Sequence, residues 1–572
     1  MRIEKIIIKN FKTYEDQTIC FSFDDVEGKK NRDFLILVGD NGTGKSTVLE
    51  AIHLALTGFY RGKTILGNIS QDIFNKNCIK KYLEDFNAKK NPLPPKISIE
   101  VFFDDYPVLE GDKNSTGSKA CGFIFEIMYD DRNDDAYATL MSKELNTLPF
   151  EFYKCEWNTF AREKYTNSKF LAFKSAFLNT STERVWDNSS RLIKSYIDES
   201  SKVELNQSYR MVTDGLKDSN SFKKINEKIQ NNKNLKNKNI SIGVANSSQN
   251  AWENALTIKE NDIPYENIGT GKQCILNTIL SFENDLFKNK GIILIEEPEN
   301  HLSGMNLNIL LNYIKNNSKD YQVVISTHSS YVLNKLGMNN LVLLGKNSVS
   351  SFVNLHPDTA HYFEKVAGFD TLRFILSENA ILVEGDSDDL VIQRAYYDLH
   401  KKLPIDDGIE IIDTGLSYKR FIDLAIALHI KTIVVTDNDG DIDRINDMIS
   451  KYKDYPWIKI CSGSKAYTHE ELGLSKSNDV SKESKVLNVN TLEPEILRAN
   501  DRNKINKILG KNYENDEDLL HYMIKNKTEV AWNIFVSNET INYPEYINNA
   551  ISNIIIQKSN KLVTEEEDII NE

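Results

Sequence analysis

One segment constrains the fold of this chain more than any other: the glycine-rich run GDNGTGKS at 39–46. It follows the apolar run DFLILVGD at 33–40 and leads into the helical pattern KSTVLEAIHLALTGF at 45–59. A strand, a glycine-rich turn and a helix in this order bind phosphate, because backbone N–H groups wrap the phosphates and the helix N-terminus attracts negative charge. The sequence therefore predicts a nucleotide site at the edge of an α/β sheet.

Each residue type in this run suits one part of a bound nucleotide. The Lys45 ammonium can reach the outer phosphates, and the Ser46 hydroxyl can ligate a magnesium ion. We therefore expect ATP with Mg²⁺ or Mn²⁺ at this site. The other nucleotide-binding residues predicted here are Gly39, Asn41, Gly42, Gly44 and Thr47.

A pair of acidic residues follows a second apolar run, GIILI at 291–295. P-loop ATPases use carboxylates at the end of such a strand to hold Mg²⁺ and to poise the attacking water. We predict that Glu296 takes the metal side, where Asp is commoner, and that Glu297 is the general base. After a third apolar run, YQVVI, His328 stands where it can sense the γ-phosphate.

This order of motifs resembles the ABC ATPase superfamily, specifically its SMC-like, DNA-repair branch. The resemblance implies that ATP lies between two heads, each of which completes the other's site with a glycine-rich signature. IGTGKQ at 268–273 occupies the position of that signature and departs from the usual Ser-Gly-Gly-Gln form. Gly269 and Gly271 are the expected contacts to the γ-phosphate in trans, and Gln71 or Asp72 is the candidate for the metal-sensing glutamine.

Further acids follow two strands of a second α/β alternation. Glu384 and Asp388 come after the run AILV, and Asp437 and Asp439 come after the run TIVV. The carboxyl ends of neighbouring parallel strands meet in one crevice, where clustered carboxylates stay ionised only beside a cation. Oxygen ligands of this kind suit Mg²⁺ or Mn²⁺. A calcium loop in DNDGDIDRINDM is the disfavoured alternative, because the glycine and glutamate of an EF-hand are missing.

The pattern E-G-x-x-D followed by D-x-D-G resembles the Toprim motif of topoisomerases, primases and certain nucleases. An ATPase with a Toprim domain behind it resembles the OLD (overcoming lysogenization defect) family of nucleases, including the nuclease subunit of Gabija-type phage defence, over nearly the whole chain. Two later elements match that family: Glu493, suited to a second metal, and KTEVA at 527–531, which is similar to a K-G-x-x-A element. Its lysine, Lys527, would stabilise charge on the scissile phosphate, with Lys525 as the rival.

The resemblance implies hydrolysis of DNA phosphodiester bonds by two metal ions. One ion would be held by Glu384, Asp437 and Asp439, and the other would lie near Asp388 and Glu493. It also implies a homodimer or higher homo-oligomer, a nucleotide-dependent gate of either sign, and a helicase or second defence subunit as a possible partner. The alternative is an SMC-like ATPase sensor or scaffold whose Toprim domain binds a partner or nucleic acid without cutting. A topoisomerase or a primase is disfavoured, because neither a DNA-gate domain nor a zinc module is legible.

The implied fold class is α/β: an SMC-like ABC ATPase head with a helical dimerisation insertion, followed by a C-terminal Toprim domain. We expect the head's P-loop lobe over 1–150, the helical insertion over 151–250, the head's second lobe over 251–372 and the Toprim nuclease domain over 373–572. Within the insertion, the Asn- and Lys-rich residues 217–240 are interpreted as a solvated hairpin or loop, with a phosphate-tracking arm as the alternative.

The composition limits what these domains can bind and where in the cell we expect them. The formal net charge is −13, so DNA contacts need local basic patches. The six cysteines form no CxxC pair, which argues against a zinc cage or a disulfide scaffold. No apolar run is long enough to span a membrane. We therefore expect a cytoplasmic protein without a membrane partner.

Overall fold

The computed structural model describes most of the chain in two compact units, Met1–Ser351 and Phe352–Glu572. The described residues are 1–21, 23–24, 30–31, 33–39, 41–140, 143–179, 197–231, 241–242, 252, 256–283, 291–337, 341–345, 349–351, 359, 362–363, 369–471 and 488–554. No helix among them is both long enough and apolar enough to cross a membrane.

The division between the units lies N-terminal to the boundary at 372 that the sequence predicts. Residues just before that boundary bond to the second unit. The Thr359 hydroxyl donates to Asp423 Oδ2 at 3.0 Å, and the Tyr362 hydroxyl donates to Ser417 Oγ at 2.7 Å. These contacts tie Thr359 and Tyr362 to the second unit.

An antiparallel sheet opens the first unit. Its first strand, Ile3–Phe11, pairs with Tyr14–Cys20 on one side and Ile97–Phe103 on the other. In spatial order the strands are Lys164–Tyr165, Tyr153–Thr159, Ala120–Tyr129, Ile97–Phe103, Ile3–Phe11 and Tyr14–Cys20, with Glu110–Gly111 beside Ala120–Tyr129.

A second, mostly parallel sheet carries the nucleotide motifs. In spatial order its strands are Lys174–Asn179, Gly291–Glu296, Gln322–Ser326, Phe34–Val38, Leu341–Leu344 and Val349–Ser351. All neighbours pair in parallel except the last two strands, which are antiparallel. Parallel strands end at the same edge of a sheet, so the glycine-rich loop and the loops after Glu296 and Ser326 lie along one edge.

The helix Lys45–Thr57 packs between the two sheets. It begins after Gly44 and ends at Gly58, which has the positive φ of 71° typical of a helix C-terminus. Its buried side chains, including Val48 and Ile52, share one apolar core with residues of both sheets. This packing fixes the start of the helix, and therefore the glycine-rich loop, relative to the parallel sheet.

Residues 151–179, where we expected a helical insertion to begin, form strands instead. Tyr153–Thr159 pairs with Ala120–Tyr129, and Lys174–Asn179 runs parallel to Gly291–Glu296. The reason is burial: Trp157 is 3% exposed and its indole N–H donates to Ala55 O at 2.7 Å. Tertiary packing of this kind overrides a polar local pattern.

Helices do occur later in the predicted insertion, at Glu199–Lys217 and Asn220–Gln230. The first half of the Asn- and Lys-rich stretch is therefore helical, and residues 232–240 lie outside the described part. The other helices of the first unit are Lys76–Asn87, Asp134–Leu140, Thr270–Phe282, Gly304–Asn317 and Ser330–Leu336. Its short strands are Phe23–Asp24, Lys30–Asn31, Phe59–Tyr60, Lys63–Thr64, Lys259–Glu260 and Ile263–Pro264.

The second unit has a four-stranded parallel sheet, as its alternating pattern predicts. The strand order is Ile409–Asp413, Asn379–Val383, Lys431–Val435 and Ile458–Cys461. The two strands that precede the acidic motifs are direct neighbours. Its helices are Phe369–Leu376, Asp386–His400, Tyr418–Leu428, Ile442–Tyr452, Leu492–Ala499, Arg502–Leu509, Asp516–Lys525 and Lys527–Val536, and residues 545–554 are also helical.

Candidate functional site

The glycine-rich loop of the first unit has a backbone that requires its glycines. Gly42 and Gly44 have φ of 85° and 98°, a region that other residues rarely adopt. A Cβ atom on Gly44 would lie 2.5 Å from the hydroxyl oxygen of Tyr14. That hydroxyl donates to Thr43 O at 3.1 Å and so supports the loop from the antiparallel sheet. Asp40 lies outside the described residues.

Lys45 is buried at the start of the helix, and its ammonium donates to Gly39 O at 2.7 Å. The loop's own carbonyl therefore holds the lysine where the phosphates of a nucleotide are expected. Of the other predicted contacts, Asn41 is exposed, whereas Thr47 is buried with its hydroxyl 3.3 Å from that of Thr13.

Ser46 and Glu296, the two predicted magnesium ligands of this unit, lie together. The Ser46 hydroxyl is hydrogen-bonded to the Glu296 carboxylate, which is 7% exposed. Burial raises the pKa of Glu296, and the Ser46 hydrogen bond acts against that rise. A buried carboxylate beside a hydroxyl at the start of the P-loop helix is a donor set that fits Mg²⁺.

Glu297 and His328 are also neighbours. Glu297 has a positive φ of 43°, and its N–H donates to Ser326 O at 2.9 Å. The His328 Nε2 lies 3.4 Å from Glu297 Oε1, and Asn300 Nδ2 donates to Glu297 Oε2 at 2.7 Å. The candidate base and the candidate switch histidine thus come from adjacent strands and meet above the sheet edge.

Glu299 is a residue of this site that the sequence analysis missed. Its Oε1 accepts hydrogen bonds from the Thr327 hydroxyl at 2.7 Å and from the His328 N–H at 2.9 Å. The carboxylate therefore ties the loop after the acidic strand to the loop that carries the histidine. The sequence feature that could have identified Glu299 is the third acid in the run EEPE at 296–299.

The glycine-rich signature lies at the start of the helix Thr270–Phe282. A Cβ atom on Gly271 would lie 2.6 Å from His301 O, whereas one on Gly269 would meet nothing within 4 Å. Close packing against its own chain thus requires glycine at 271, and Gly269 presents open backbone. Gln71 and Asp72, the metal-sensing candidates, lie in the single turn Gln71–Ile73.

In the second unit, Glu384 joins the two acidic loops. It follows the strand Asn379–Val383, and its Oε1 accepts from the Thr436 hydroxyl and, at 3.2 Å, from the Asp437 N–H. The first carboxylate is therefore held by the loop that bears the next one. This contact brings the ends of both neighbouring strands into one place.

Asp388 and Asp437 are close enough to the other acids to repel them. Burial, Glu384 and Glu493 raise the pKa of Asp388 from 3.8 to about 7. Burial, Asp388 and Glu384 raise the pKa of Asp437 well above its usual range. Both aspartates thus belong to one electrostatically coupled cluster, and any cation bound there would lower both pKa values.

Glu493 and Lys527 form an ion pair at the edge of this cluster. The Lys527 Nζ lies 3.1 Å from Glu493 Oε2, which also accepts from the Thr491 hydroxyl. Burial lowers the pKa of Lys527, but the negative charges of Glu493 and its neighbours outweigh burial and raise it. Lys525 ends the helix Asp516–Lys525 and has no ion pair with the acids among the described residues, so the structure places Lys527, not its rival, beside them.

Asp439, which we expected to hold one metal ion together with Glu384 and Asp437, has other partners in this structure. The strand ends at Val435, so alternation along a strand does not reach Asp439, which has a φ of 51°. Its carboxylate is exposed and bonds to Arg444 Nη2 at 3.2 Å and to Asn488 Nδ2 at 2.8 Å. The loop geometry turns this acid towards other partners.

The acids of the second unit fit a divalent cation by their chemistry. Glu384, Asp388, Asp437 and Glu493 offer carboxylate oxygens, and their mutual repulsion in buried surroundings is what a divalent cation relieves. Within the described residues, no three acidic, histidine or cysteine side chains form a preassembled metal site. The structure thus shows a set of neighbouring donors rather than a closed cage.

These two sites define the class of the protein. The first unit contains an AAA-type ATPase domain, and the second contains a Toprim domain with the acids at the carboxyl ends of its parallel strands. One family model, described as "AAA domain, putative AbiEii toxin, Type IV TA system", matches residues 34–334, and another AAA domain model matches residues 1–64. A model described as "Overcoming lysogenization defect protein-like, TOPRIM domain" matches residues 375–439.

The chain belongs to the first of these families and, with its Toprim domain, is an ATPase–Toprim protein of the OLD family. Among curated proteins, no match is found.

Solved structures that resemble the chain include an SMC head domain, a recombination mediator protein and part of an OLD protein. The SMC head domain from Thermotoga maritima is 14% identical, covers 60% of this chain and 94% of its own, and has a TM-score of 0.27. The recombination mediator protein RecF bound to ATP is 12% identical over 61% of this chain and 98% of its own, with a TM-score of 0.31. The C-terminal region of the Xanthomonas campestris pv. campestris OLD protein is 18% identical over 34% of this chain and 99% of its own, with a TM-score of 0.24.

Proposed function

We propose that this protein is an ATP-regulated DNA endonuclease that hydrolyses phosphodiester bonds with divalent metal ions at the Toprim acids. The observation that carries the proposal is the coupled cluster of Glu384, Asp388, Asp437 and Glu493 with Lys527 at its edge. Four acids and one lysine in one crevice are the groups that phosphodiester hydrolysis by two metal ions requires. Anti-phage defence or DNA processing is the setting that the OLD-type domain combination supports.

The four acids of the cluster provide the oxygen donors for the metal ions. Glu384 and Asp437 provide oxygen donors on one side, and Thr436 orients Glu384. Asp388 and Glu493 provide donors on the other side. Divalent ions, when bound, supply a water of lowered pKa and compensate charge on the phosphate.

Lys527 adds a positive charge at the same place. Its ammonium is already directed at Glu493, so a scissile phosphate beside that carboxylate lies within reach of the lysine. Asp439 has a smaller part in this mechanism than its motif suggests, because Arg444 already neutralises it.

In the ATPase head, Lys45 exchanges the Gly39 carbonyl for the outer phosphates of ATP. Ser46 and Glu296 provide donors for Mg²⁺, while Glu297, beside His328, accepts a proton from the attacking water. We further propose that two heads pair around ATP, with Gly269 and Gly271 facing the partner's γ-phosphate. The helical residues of 151–250 are the proposed dimerisation region, and a helicase or a second defence subunit is a possible partner.

The experiment is cleavage of supercoiled and linear DNA by purified protein with Mg²⁺, Mn²⁺ or Ca²⁺, with and without ATP. The wild type is compared with Asp437→Asn and Lys45→Ala. Cutting that needs Mg²⁺ or Mn²⁺ and is lost in Asp437→Asn supports the nuclease. Equal cleavage rates for wild type and Lys45→Ala, in both the presence and the absence of ATP, would contradict the proposal that ATP regulates cleavage. Metal binding without any cutting would favour the sensor or scaffold alternative.

A further inference from the structure

Tyr546 carries a buried hydroxyl for which the structure offers no hydrogen-bond partner. The residue is 6% exposed, and its Oη bonds to no other group among the described residues. A buried tyrosine hydroxyl normally finds a partner, and a polar group left without one is unfavourable. The Tyr546 hydroxyl can therefore donate to a group that it does not contact in this structure.

Tyr546 packs in the core with residues that are close in sequence to the acids of the cluster. Its ring packs in one core with Val435, which ends the strand before Asp437, and with Leu492, which precedes Glu493. Val391, on the helix that begins beside Asp388, belongs to the same core. Tyr546 therefore belongs to the same core as residues that adjoin three of the four acids.

The charges next to this hydroxyl are negative. Burial, Asp437 and Asp388 are the main causes that raise the pKa of Tyr546, with smaller contributions from Glu495 and Glu493. The hydroxyl thus keeps its proton at neutral pH and is a permanent donor next to carboxylates that can only accept when ionised.

Tyr543, three residues earlier, has a hydroxyl that does find a hydrogen-bond partner. It too is partly buried, but its hydroxyl donates to Asp398 Oδ2 at 2.6 Å. The two tyrosines lie on the same short segment of the second unit. The Tyr546 hydroxyl, by contrast, has no hydrogen-bond partner among the described residues.

We propose that Tyr546 is a positioning residue of the Toprim site, whose hydroxyl donates to the Asp388 and Asp437 carboxylates when these are ionised around a divalent cation. The inference rests on the proposed function, because it assumes that the acids hold the metal. A carboxylate that ligates a metal through one oxygen leaves its other oxygen to accept from a neighbour. Such outer hydrogen bonds typically change metal affinity by about 10- to 100-fold.

The test is Mn²⁺ titration by calorimetry on the full-length chain without nucleotide or DNA. Tyr546→Phe is compared with wild type and with Tyr543→Phe, and Asp437→Asn gives the background from other Mn²⁺ sites. We expect Tyr546→Phe to weaken Mn²⁺ binding at least about tenfold. We expect Tyr543→Phe to bind Mn²⁺ as the wild type does.

Thermal unfolding in EDTA supplies the second readout. Tyr546→Phe should melt at or above the wild-type temperature, because it removes a buried hydroxyl that has no partner. Tyr543→Phe should melt lower, because it loses the bond to Asp398. Wild-type Mn²⁺ affinity in Tyr546→Phe would overturn this inference alone, whereas a wild type that binds no Mn²⁺ above background would overturn the proposed metal site as well.

Discussion

The Nζ of Lys527 lies 3.1 Å from Oε2 of Glu493, and this pair joins an exposed cation to a buried anion. The Glu493 side chain is 3% exposed and that of Lys527 is 45% exposed. The same ammonium lowers the pKa values of Asp388 and Asp437, opposing the effect of burial. Lys527 is thus the counter-charge that the structure provides for the whole acidic cluster.

Replacing this lysine tests its role in cutting. Lys527→Ala should slow DNA cleavage by about 10²–10³-fold, the typical loss when one group that stabilises developing charge is removed. The measurement is the single-turnover rate with saturating Mn²⁺. Lys525→Ala is the matched control and should cut at close to the wild-type rate, since among the described residues no ion pair joins Lys525 to the acids. Equal losses in both variants would contradict the assignment of Lys527.

Arg394 fastens the helix that carries Lys527 to the helix that carries Asp388. Its Nη1 donates to Phe535 O at 2.9 Å and to Ile534 O at 3.3 Å, at the end of the helix Lys527–Val536. Arg394→Met should destabilise the second unit by about 3 kcal/mol, because it leaves buried carbonyl groups and Asp398 without their cation.

Urea unfolding measures this loss. Arg502→Met is the control: its ion pair with Asp516 is exposed, and its loss should cost less than about 1 kcal/mol. If Arg394→Met lowered the free energy of unfolding no more than Arg502→Met, the hydrogen bonds of Arg394 would contribute little to stability.

The raised pKa of Asp388 predicts how stability depends on pH without metal. The folded carboxyl has a pKa of about 7, against 3.8 for the ordinary group, so the folded state binds the extra proton between these values. Stability in EDTA should therefore fall as pH rises from about 4 to about 7. Melting temperatures across that range measure the slope, and Asp388→Asn should reduce it. A slope unchanged by Asp388→Asn would contradict the raised pKa.

Glu299 should affect ATP hydrolysis more than ATP binding. It holds the Thr327 hydroxyl and the His328 N–H, but it does not lie in the phosphate-binding loop. Glu299→Ala should lower the hydrolysis rate about tenfold, as expected when a charge-assisted hydrogen bond that positions His328 is lost. The affinity of Glu299→Ala for a non-hydrolysable ATP analogue should stay within about twofold of the wild-type affinity. Lys45→Ala, as the control, should lose binding of the analogue. If Glu299→Ala lost binding but kept the wild-type hydrolysis rate, the positioning role of Glu299 would be refuted.

The two aspartates of the D-x-D-G motif should differ in their importance. Asp437→Asn should reduce cutting to background, because it removes a member of the coupled cluster. Asp439→Asn should cut measurably, because Arg444 and Asn488 occupy that carboxylate. Cleavage rates over a Mn²⁺ series compare them. Background activity in both would mean that Asp439 turns into the site when metal binds.

Local patterns were sufficient to predict the elements that carry both sites. The runs at 34–38, 291–296 and 431–435 are short and mostly apolar, so their strand character is local. Parallel neighbours then follow from the alternation with helices. That reasoning placed Lys45, Glu296 and Glu384 at strand or helix ends without any knowledge of tertiary contacts.

The features that escaped prediction depend on contacts far apart in the chain. Tyr153–Thr159 is a strand because Trp157 packs against the P-loop helix, and no local pattern encodes that partner. Glu299 gains its role from Thr327, which lies in the loop after the strand Gln322–Ser326. Asp439 leaves the cluster because the strand stops at Val435, and a sequence shows strand ends only approximately.

The position of the P-loop strand in its sheet also governs when the ATPase can form during synthesis. Phe34–Val38 lies between Gln322–Ser326 and Leu341–Leu344, both of which the ribosome makes much later. The hairpin of Ile3–Phe11 and Tyr14–Cys20 can pair at once, but the P-loop strand has no sheet neighbour until most of the first unit has emerged. Such distant pairing is slow and leaves an apolar strand exposed in the nascent chain. Newly made protein therefore gains nucleotide binding only near the end of translation of this unit, and chains truncated before residue 322 remain inert and prone to aggregation.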